Sequence, residues 1–284
     1  MRVLVTGLDG FTGHYVQREL EEHNHDVVGL KADLTNPEAV MKDVQSLQPE
    51  AVIHLAAISF VGHGDANAFY RVNLMGTRNL LEAVATQAHN VECVLLASSA
   101  NVYGNSTEGV LHESALPNPA NDYAVSKLAM EYMARLWFDR LPIVITRPFN
   151  YTGVGQSDTF LLPKIVRHFQ RKATLIELGN LDVFRDFSDV RAVANAYRRL
   201  VQACPVGETI NVCSGRTHSL REVLTMVEEI AGYDIEVKVN PSFVRAHEVR
   251  SLQGSAERLR SIIGEWDTPP LRATLEWMYR SPLQ

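Results

Sequence analysis

Short apolar runs alternate with longer amphipathic stretches along the first part of the chain. The runs are continuously apolar, which favours strands that are buried on both faces of a parallel sheet. They lie at 3–6, 27–30, 51–56, 91–98 and 142–147. The stretches between them have helical periodicity and lie at 11–23, 37–48, 69–88 and 122–138. This alternation predicts an α/β fold with a Rossmann-like, doubly wound parallel sheet.

Helix start signals, and a change in the alternation of strands and helices, divide the chain further. Asn36 precedes a proline at the first helical position, and Ser219 and Glu222 have the spacing of a capping box. Beyond residue 150 the alternation loosens, and turn-forming residues cluster at 153–155 and 240–241. We expect a nucleotide-binding Rossmann domain over 1–153 and a smaller mixed α/β substrate lobe over 154–284, packed together and able to interleave.

Composition narrows the functional classes. The 284 residues include 33 acidic and 27 basic side chains, for a net charge of −6, which disfavours a sequence-independent nucleic-acid binder. No apolar run is long enough to span a bilayer, and an apolar strand begins almost at Met1, which leaves no room for a signal peptide. Cys93, Cys204 and Cys213 are far apart in the sequence, so we expect reduced thiols and a cytoplasmic protein. The histidines show no metal-binding spacing, so no metal is expected.

A glycine-rich turn separates the first strand from the first helix. Gly7, Gly10 and Gly13 permit a tight turn and allow the backbone to approach a pyrophosphate at the helix N-terminus, where Phe11 and Thr12 lie. The GxxGxxG spacing differs from GxGxxG, and an ordinary strand-to-helix turn is the alternative explanation. The position directly after an apolar strand favours dinucleotide binding.

The end of the second strand bears on the choice of coenzyme. An acidic residue there would accept hydrogen bonds from the ribose hydroxyls of NAD and repel the 2′-phosphate of NADP. The residue that follows Leu30 is Lys31, a cation. We therefore predict NADPH as the coenzyme, with NADH as the alternative and an ordinary surface lysine as the competing interpretation of Lys31.

Three polar residues have the pattern of a carbonyl-reducing site. Tyr123 and Lys127 are four residues apart and so share one face of a helix, and Ser99 follows the fourth apolar strand. A lysine ammonium near the tyrosine would lower the pKa of its hydroxyl and help it to act as a general acid, while the serine would hold the carbonyl oxygen. A serine bonded to its own backbone is the alternative for Ser99 alone.

Together these residues resemble the extended short-chain dehydrogenase/reductases that act on nucleotide sugars. The likeness covers nearly the whole chain. Its matching segments are the Gly7/Gly10/Gly13 turn, 33–34, 54–57, Asn73 with 76–77, Ser99, Tyr123, Lys127, 147–150, 185–187 and 211–215.

The resemblance implies roles for further residues on the coenzyme side. Asp33 and Leu34 would contact the adenine. Leu55, Ala56 and Ala57 would line the coenzyme. It also implies a homodimer in which helices 69–88 and 122–138 pair across a four-helix interface, although core packing alone would explain their apolar stripes.

On the substrate side, the resemblance implies a small-molecule nucleotide sugar as the ligand. Ser99, Tyr123 and Asn101 would face the sugar, and Asn150 would contact its diphosphate. The remaining expected contacts are Arg185 and Arg245 with the phosphates, Glu248 with the nucleotide ribose, and Lys164 as a weaker candidate.

Several reactions fit the family. Asn101 occupies a position where the dehydratases carry an acid, which counts against dehydration. We expect reduction of the C4 ketone of a nucleotide-linked 4-keto-6-deoxyhexose, first GDP-4-dehydro-6-deoxy-D-mannose to GDP-D-rhamnose, or a sister reaction that gives a 6-deoxytalose nucleotide from a GDP or dTDP sugar. An NAD-dependent 4-epimerase is the alternative, followed by a 4,6-dehydratase and by a coenzyme-binding sensor without catalysis.

Overall fold

A central parallel sheet forms the framework of the protein. The computed structural model describes residues 1–59, 64–104, 109–243 and 250–282. The strands of the central sheet are β1 (Arg2–Thr6), β2 (Asp26–Gly29), β3 (Ala51–His54), β4 (Cys93–Ala97), β6 (Ile143–Pro148) and β10 (Thr209–Val212). They are parallel and lie in the order β10-β6-β4-β3-β1-β2. The α/β, doubly wound prediction is therefore confirmed.

Helices cover both faces of this sheet. One face carries α1 (Phe11–Glu21), α7 (Val190–Ala203) and α9 (Glu257–Ile263), and the other carries α2 (Pro37–Leu47), α4 (Thr77–Gln87) and α5 (Asp122–Arg135). Within β1, Val3 and Val5 belong to the first core and Leu4 to the second. Burial on both faces explains why the strand sequences are continuously apolar rather than alternating.

The segment predicted as one helix over 69–88 has three parts. A short helix α3 (Ala66–Phe69) leads into a π-helical segment (Tyr70–Gly76), which continues into α4. Asn73 lies in the π-helical segment with its side chain fully buried. A hydrophobic periodicity does not distinguish such an irregularity from a continuous helix, because the same face remains buried.

The second lobe is built around its own core. Helices α6 (Leu161–Gln170), α8 (Leu220–Ala231) and α10 (Leu271–Arg280) pack with the parallel pair β8 (Leu175–Leu178) and β12 (Glu236–Val239). The predicted capping box of Ser219 and Glu222 opens α8.

A smaller mixed sheet lies beside the ends of the central strands. It has the order β11-β9-β13-β5, formed by β5 (Val110–Leu111), β9 (Phe184–Asp189), β11 (Thr217–Ser219) and β13 (Ser251–Gly254), and β7 (Asn150–Thr152) also pairs with β9. Three elements beyond residue 153, namely α7, β10 and α9, pack with the central sheet. The boundary between residues 153 and 154 itself stays a prediction.

Within the part of the chain that the structure describes, the helices are all too short or too polar to cross a membrane.

Candidate active site

The glycine turn is packed too tightly for side chains. Gly7 has a positive φ of 71°, and a Cβ on it would lie 3.0 Å from the backbone of Ala56. A Cβ on Gly13 would lie 2.3 Å from the carbonyl oxygens of Gly7 and Leu8, far inside contact distance. The turn therefore brings bare backbone to the N-terminus of α1, which is the cradle that a dinucleotide pyrophosphate requires.

The first turn of α1 also contacts an aromatic residue that the sequence interpretation missed. The Thr12 hydroxyl lies 2.9 Å from the hydroxyl of Tyr151, and the rings of Phe11 and Tyr151 stack with centroids 6.3 Å apart. Burial raises the pKa of Tyr151, and Tyr151 in turn contributes to the raised pKa of Tyr123. Tyr151 thus connects the coenzyme turn to the vicinity of the catalytic tyrosine.

The chain after β2 is held by two carboxylates. Asp43, on α2, accepts hydrogen bonds from the backbone amides of Lys31 and Ala32 at 2.9 and 2.7 Å. Asp33 accepts from the amide and hydroxyl of Thr35, which lowers the pKa of its carboxyl. The Lys31 side chain is exposed at this edge. Leu34 packs against Gly76, where a Cβ would come within 2.9 Å of the Leu34 side chain.

The loop after β3 is anchored by a buried histidine. His54 Nδ1 lies 2.7 Å from the Thr6 hydroxyl, and Nε2 lies 2.8 Å from the Thr77 hydroxyl. The Thr77 hydroxyl donates its proton to the Asn73 carbonyl oxygen at 2.7 Å, so His54 Nε2 must be the donor to Thr77. Nδ1 then accepts from Thr6, whose oxygen in turn accepts from the Ala56 amide at 3.1 Å. The network requires a neutral imidazole, and burial lowers the pKa of His54 to about 3.

This network predicts a loss of stability in acid. The pKa of His54 is lower in the folded protein than in the unfolded chain, so the unfolded chain binds the extra proton as the pH falls from about 6.5 to about 3. The free energy of unfolding should fall across that window, with His54 contributing up to about 5 kcal/mol. Urea unfolding of the protein and of His54→Gln at a series of pH values measures the difference. The exposed His89→Gln should retain the full dependence, and an identical slope in His54→Gln would contradict the assignment.

The same network reaches the catalytic helix. The Asn73 side chain accepts from the Ile58 amide at 2.9 Å and donates to the Ile58 carbonyl oxygen and the Ser126 hydroxyl, both at 3.1 Å. Ser126 donates to the Tyr123 carbonyl oxygen at 2.7 Å. The coenzyme-side loop and the first turn of α5 are therefore fixed relative to each other by buried hydrogen bonds.

The predicted catalytic residues meet at the end of β4. Tyr123 and Lys127 are buried on α5, and a hydrogen bond joins Ser99 to the Tyr123 hydroxyl. Lys127 Nζ donates to the carbonyl oxygen of Ala97, two residues before Ser99, at 2.8 Å. Ser99 also accepts a hydrogen bond from the Asn101 amide at 3.2 Å. The backbone bond that was the alternative explanation for Ser99 is therefore present together with the bond to Tyr123.

The protonation of this trio differs from the sequence expectation. Burial raises the pKa of Tyr123 to about 12, although the hydrogen bond from Ser99 opposes it, and Lys127 is not among the groups that lower it. Burial also lowers the pKa of Lys127 to about 8, with the Glu131 carboxylate opposing. Tyr123 therefore carries its proton at neutral pH, as a residue that protonates a carbonyl oxygen must.

On the substrate side, the structure places Asn150 and Arg185 in the mixed sheet and Lys164 on α6 beside β8. Asn150 begins β7 and Arg185 lies on the neighbouring β9, where its guanidinium donates to the Phe184 carbonyl oxygen at 2.8 Å. Lys164 donates to the Glu177 carbonyl oxygen at 2.7 Å and lies over the Phe243 ring. Arg245 and Glu248 lie outside the described residues.

A buried acid next to Arg185 joins three segments of this region. Asp186 accepts from the Ser214 amide and hydroxyl at 2.8 and 2.6 Å and from the Gly215 and Gly254 amides at 2.9 and 3.3 Å. Burial raises the pKa of its carboxyl, against these four hydrogen bonds. Asp186 thus fixes β9, the 213–215 loop and β13 relative to one another.

Comparison with known proteins gives the family. The model of the NAD dependent epimerase/dehydratase family matches residues 3–213. The chain belongs to that family. The expected likeness and enzyme class are therefore confirmed.

Curated relatives match along the whole chain. A GDP-6-deoxy-D-talose 4-dehydrogenase of Aggregatibacter actinomycetemcomitans is 36% identical, with 100% of this chain and 98% of the relative covered. A GDP-6-deoxy-D-mannose reductase of Pseudomonas aeruginosa is also 36% identical and covers 93% of this chain, with 91% of its own length matched.

Solved structures agree with the fold. A protein of Burkholderia cenocepacia J2315, classed provisionally as an epimerase, is 53% identical, with a TM-score of 0.93 over 98% of this chain and 96% of its own. RMD from Pseudomonas aeruginosa, complexed with NADPH, is 34% identical, with a TM-score of 0.89 over 98% of this chain and 96% of its own.

Proposed function

We propose that the protein reduces the C4 ketone of a GDP-linked 4-keto-6-deoxyhexose with NADPH. The observation that carries the proposal is the 36% identity, over nearly the full length, to two oxidoreductases whose names specify GDP-linked 6-deoxyhexoses. The first expected substrate is GDP-4-dehydro-6-deoxy-D-mannose, with GDP-D-rhamnose or the 6-deoxytalose nucleotide as the product. A dTDP sugar is the alternative substrate.

The catalytic trio supports reduction. A nicotinamide coenzyme supplies the hydride when it is bound at the glycine turn. Tyr123 holds the proton at its hydroxyl and delivers it to the C4 oxygen, and Ser99 donates a hydrogen bond that orients this oxygen. Lys127 has ammonium protons beyond the one that it donates to Ala97, and these are available for the nicotinamide ribose.

The nucleotide sugar would lie across the mixed sheet. We assign its diphosphate to Arg185 and Arg245, with Asn150 and Lys164 as further contacts and Glu248 on the ribose. Arginine suits this role because its planar guanidinium binds two phosphate oxygens at once. The Lys164 ammonium lies 4.6 Å from the centroid of the Phe243 ring.

Product analysis tests the reaction. The protein is supplied with NADPH and, separately, with GDP- and dTDP-4-keto-6-deoxy sugars, and the products are identified by NMR. Stoichiometric oxidation of NADPH with a 6-deoxyhexose nucleotide as product supports the proposal.

The 4-epimerase is the second candidate function, because the 53% identical solved structure is classed provisionally as an epimerase. Interconversion of UDP-hexose epimers without net consumption of coenzyme would replace the reductase by the epimerase.

The preference for NADPH makes a separate prediction. Asp43 and Asp33 each commit a carboxylate oxygen to backbone amides, whereas the Lys31 side chain is exposed and cationic. Lys31→Asp should therefore lower kcat/KM for NADPH by about tenfold or more, while kcat/KM for NADH changes little or rises. Lys238→Asp applies the same charge change in the second lobe and should leave the ratio unaltered. An unchanged ratio in Lys31→Asp would show that Lys31 is an ordinary surface lysine.

The predicted homodimer has a candidate face. Val125, Tyr132 and Leu136 are exposed along one side of α5, and Met75 of the adjoining π-helical segment is 47% exposed. We propose that this apolar face packs against its copy in a second chain, in the four-helix arrangement that the family resemblance implies. Sedimentation of Leu136→Glu should show a monomer, and a dimer unaffected by this charge would place the interface elsewhere. The cytoplasmic location stays a prediction.

A further inference from the structure

A buried carboxylate lies one helical turn beyond the catalytic lysine. Glu131 follows Lys127 by four residues on α5, and its side chain is 1% exposed. Arg147, on β6, donates to both carboxylate oxygens, from Nη2 at 2.6 Å and from Nε at 2.9 Å. The Ser98 hydroxyl adds a third hydrogen bond at 2.6 Å. Because its two oxygens accept these three hydrogen bonds, the Glu131 carboxylate is held in one orientation.

The partners of Glu131 are also the neighbours of the catalytic groups. Ala97, Ser98 and Ser99 are consecutive: the first accepts the hydrogen bond of Lys127, the second donates to Glu131, and the third bonds to Tyr123. Lys127 and Glu131 therefore bond to the same short segment, 97–98, from successive turns of one helix. A change at Glu131 acts on both the charge and the position of the catalytic residues.

Few other charges act on the lysine ammonium. Among the described residues, the charge that acts on it is the Glu131 carboxylate on its own helix, which is paired with Arg147 from β6, while His54 from β3 is neutral in its hydrogen-bond network. Burial disfavours the ammonium, and the Glu131 carboxylate opposes this effect. Glu131 is therefore the negative charge that compensates a desolvated cation.

We propose that Glu131 is a positioning residue that keeps Lys127 in its ammonium form and, through Ser98, sets the segment that carries Ser99. The relevance of this role to turnover rests on the proposed function, whereas the electrostatic link itself can be measured without substrate. The competing explanation is that the Glu131–Arg147 pair only ties α5 to β6, in which case the titration of Lys127 would not depend on it.

The titration of Lys127 tests the link directly. The chain contains six lysines, so lysine-selective ¹³Cε labelling gives a simple NMR spectrum, in which the Lys127 signal is the one missing from Lys127→Arg. The wild-type midpoint should lie at about 8, and Glu131→Gln should lower it by about one pH unit or more. Glu131→Asp keeps the charge and should stay close to the wild-type midpoint, as should Ser98→Ala, which removes a hydrogen bond but no charge.

A second variant covers the case in which Glu131→Gln does not fold because Arg147 is left without a charged partner. Glu131→Leu combined with Arg147→Met removes the pair together, which proteins tolerate better than loss of one partner. Its Lys127 midpoint should also fall, but by less than in Glu131→Gln, because the more distant positive charge of Arg147 is removed together with the carboxylate. A midpoint that stays at the wild-type value in the double variant would overturn the proposal and leave the pair a structural link.

Kinetics then separate this inference from the proposed function. If the proposed function and this inference both hold, the alkaline limb of the kcat profile moves to lower pH in Glu131→Gln, in the direction that NMR records, while KM for the nucleotide sugar changes little. Absence of reduction by the wild-type protein would refute the proposed function without touching the titration. A normal kcat profile together with a shifted Lys127 midpoint would refute the catalytic relevance of Glu131.

Discussion

Tyr123→Phe is expected to lower kcat by about 10²–10⁴-fold, the range that general acid catalysis contributes. The substitution removes the hydroxyl that bonds to Ser99 and carries the proton at neutral pH, since burial raises the pKa of Tyr123 to about 12. It retains the ring, which packs edge-on against Phe69 with centroids 6.0 Å apart. The fold and NADPH binding should therefore survive, and stopped-flow measurement of NADPH oxidation with the 4-keto sugar reports the loss.

The exposed Tyr132 supplies a matched control on the same helix. Tyr132→Phe removes one hydroxyl from α5 at a position that is 57% exposed, and turnover should remain normal. Equilibrium titration with NADPH, followed by coenzyme fluorescence, checks that Tyr123→Phe still binds. Near-normal kcat in Tyr123→Phe would mean that another group protonates the C4 oxygen; the buried hydroxyl of Tyr151 would then be the next to test.

The proximity of Ser99, Tyr123 and Lys127 was predictable from the sequence because each signal is local. The four-residue spacing places Tyr123 and Lys127 on one helix face, and the end of a strand in a parallel sheet is where Ser99 had to lie. The glycine turn was predictable for the same reason, since its glycines follow the first strand directly. The structure adds that Lys127 and Tyr123 bond to Ala97 and Ser99 at the end of β4.

The supporting networks could not be predicted, because they join positions far apart in the chain. His54 bonds to Thr6 and Thr77, 48 and 23 residues away, and Glu131 bonds to Ser98, 33 residues away. In the sequence, His54 and Thr77 appear only as members of segments that match the family, and Glu131 only as a carboxylate four residues after Lys127. Neither spacing nor composition reveals that both groups are buried, and burial decides their protonation.

Burial also explains why the direction predicted for the pKa of Tyr123 is wrong. The sequence-based prediction of a lowered Tyr123 pKa takes into account the charge of the nearby lysine. It does not take into account the loss of solvent around the tyrosine. In the folded protein, desolvation is the largest influence on Tyr123 and on Lys127, and it acts against the charged form of each. Both groups therefore depend on fixed partners, Ser99 for the tyrosine and Glu131 for the lysine.

Gly13→Ala is expected to lower NADPH affinity by roughly 100-fold or more, since small displacements of positioning groups have effects of that size. The new Cβ would lie 2.3 Å from the carbonyl oxygens of Gly7 and Leu8 and 2.6 Å from the Leu8 carbonyl carbon. These are backbone atoms, so the clash is relieved only if the turn moves away from α1. Moving the turn displaces the amides that should face the pyrophosphate, and overpacking should also reduce the free energy of unfolding by about 1–3 kcal/mol.

Gly64→Ala is the control, because a Cβ at Gly64 has no neighbour within 4 Å among the described residues. Both substitutions add one methyl group to a glycine without positive φ, and at Gly13, inside α1, helix propensity alone would favour alanine, so a loss there is due to the clash. NADPH titration and urea unfolding of the two variants give affinity and stability on the same scale. Retained NADPH affinity in Gly13→Ala would show that the coenzyme does not bind at the turn. If affinity falls in Gly13→Ala but not in Gly64→Ala, the bare backbone between β1 and α1 is itself the coenzyme site.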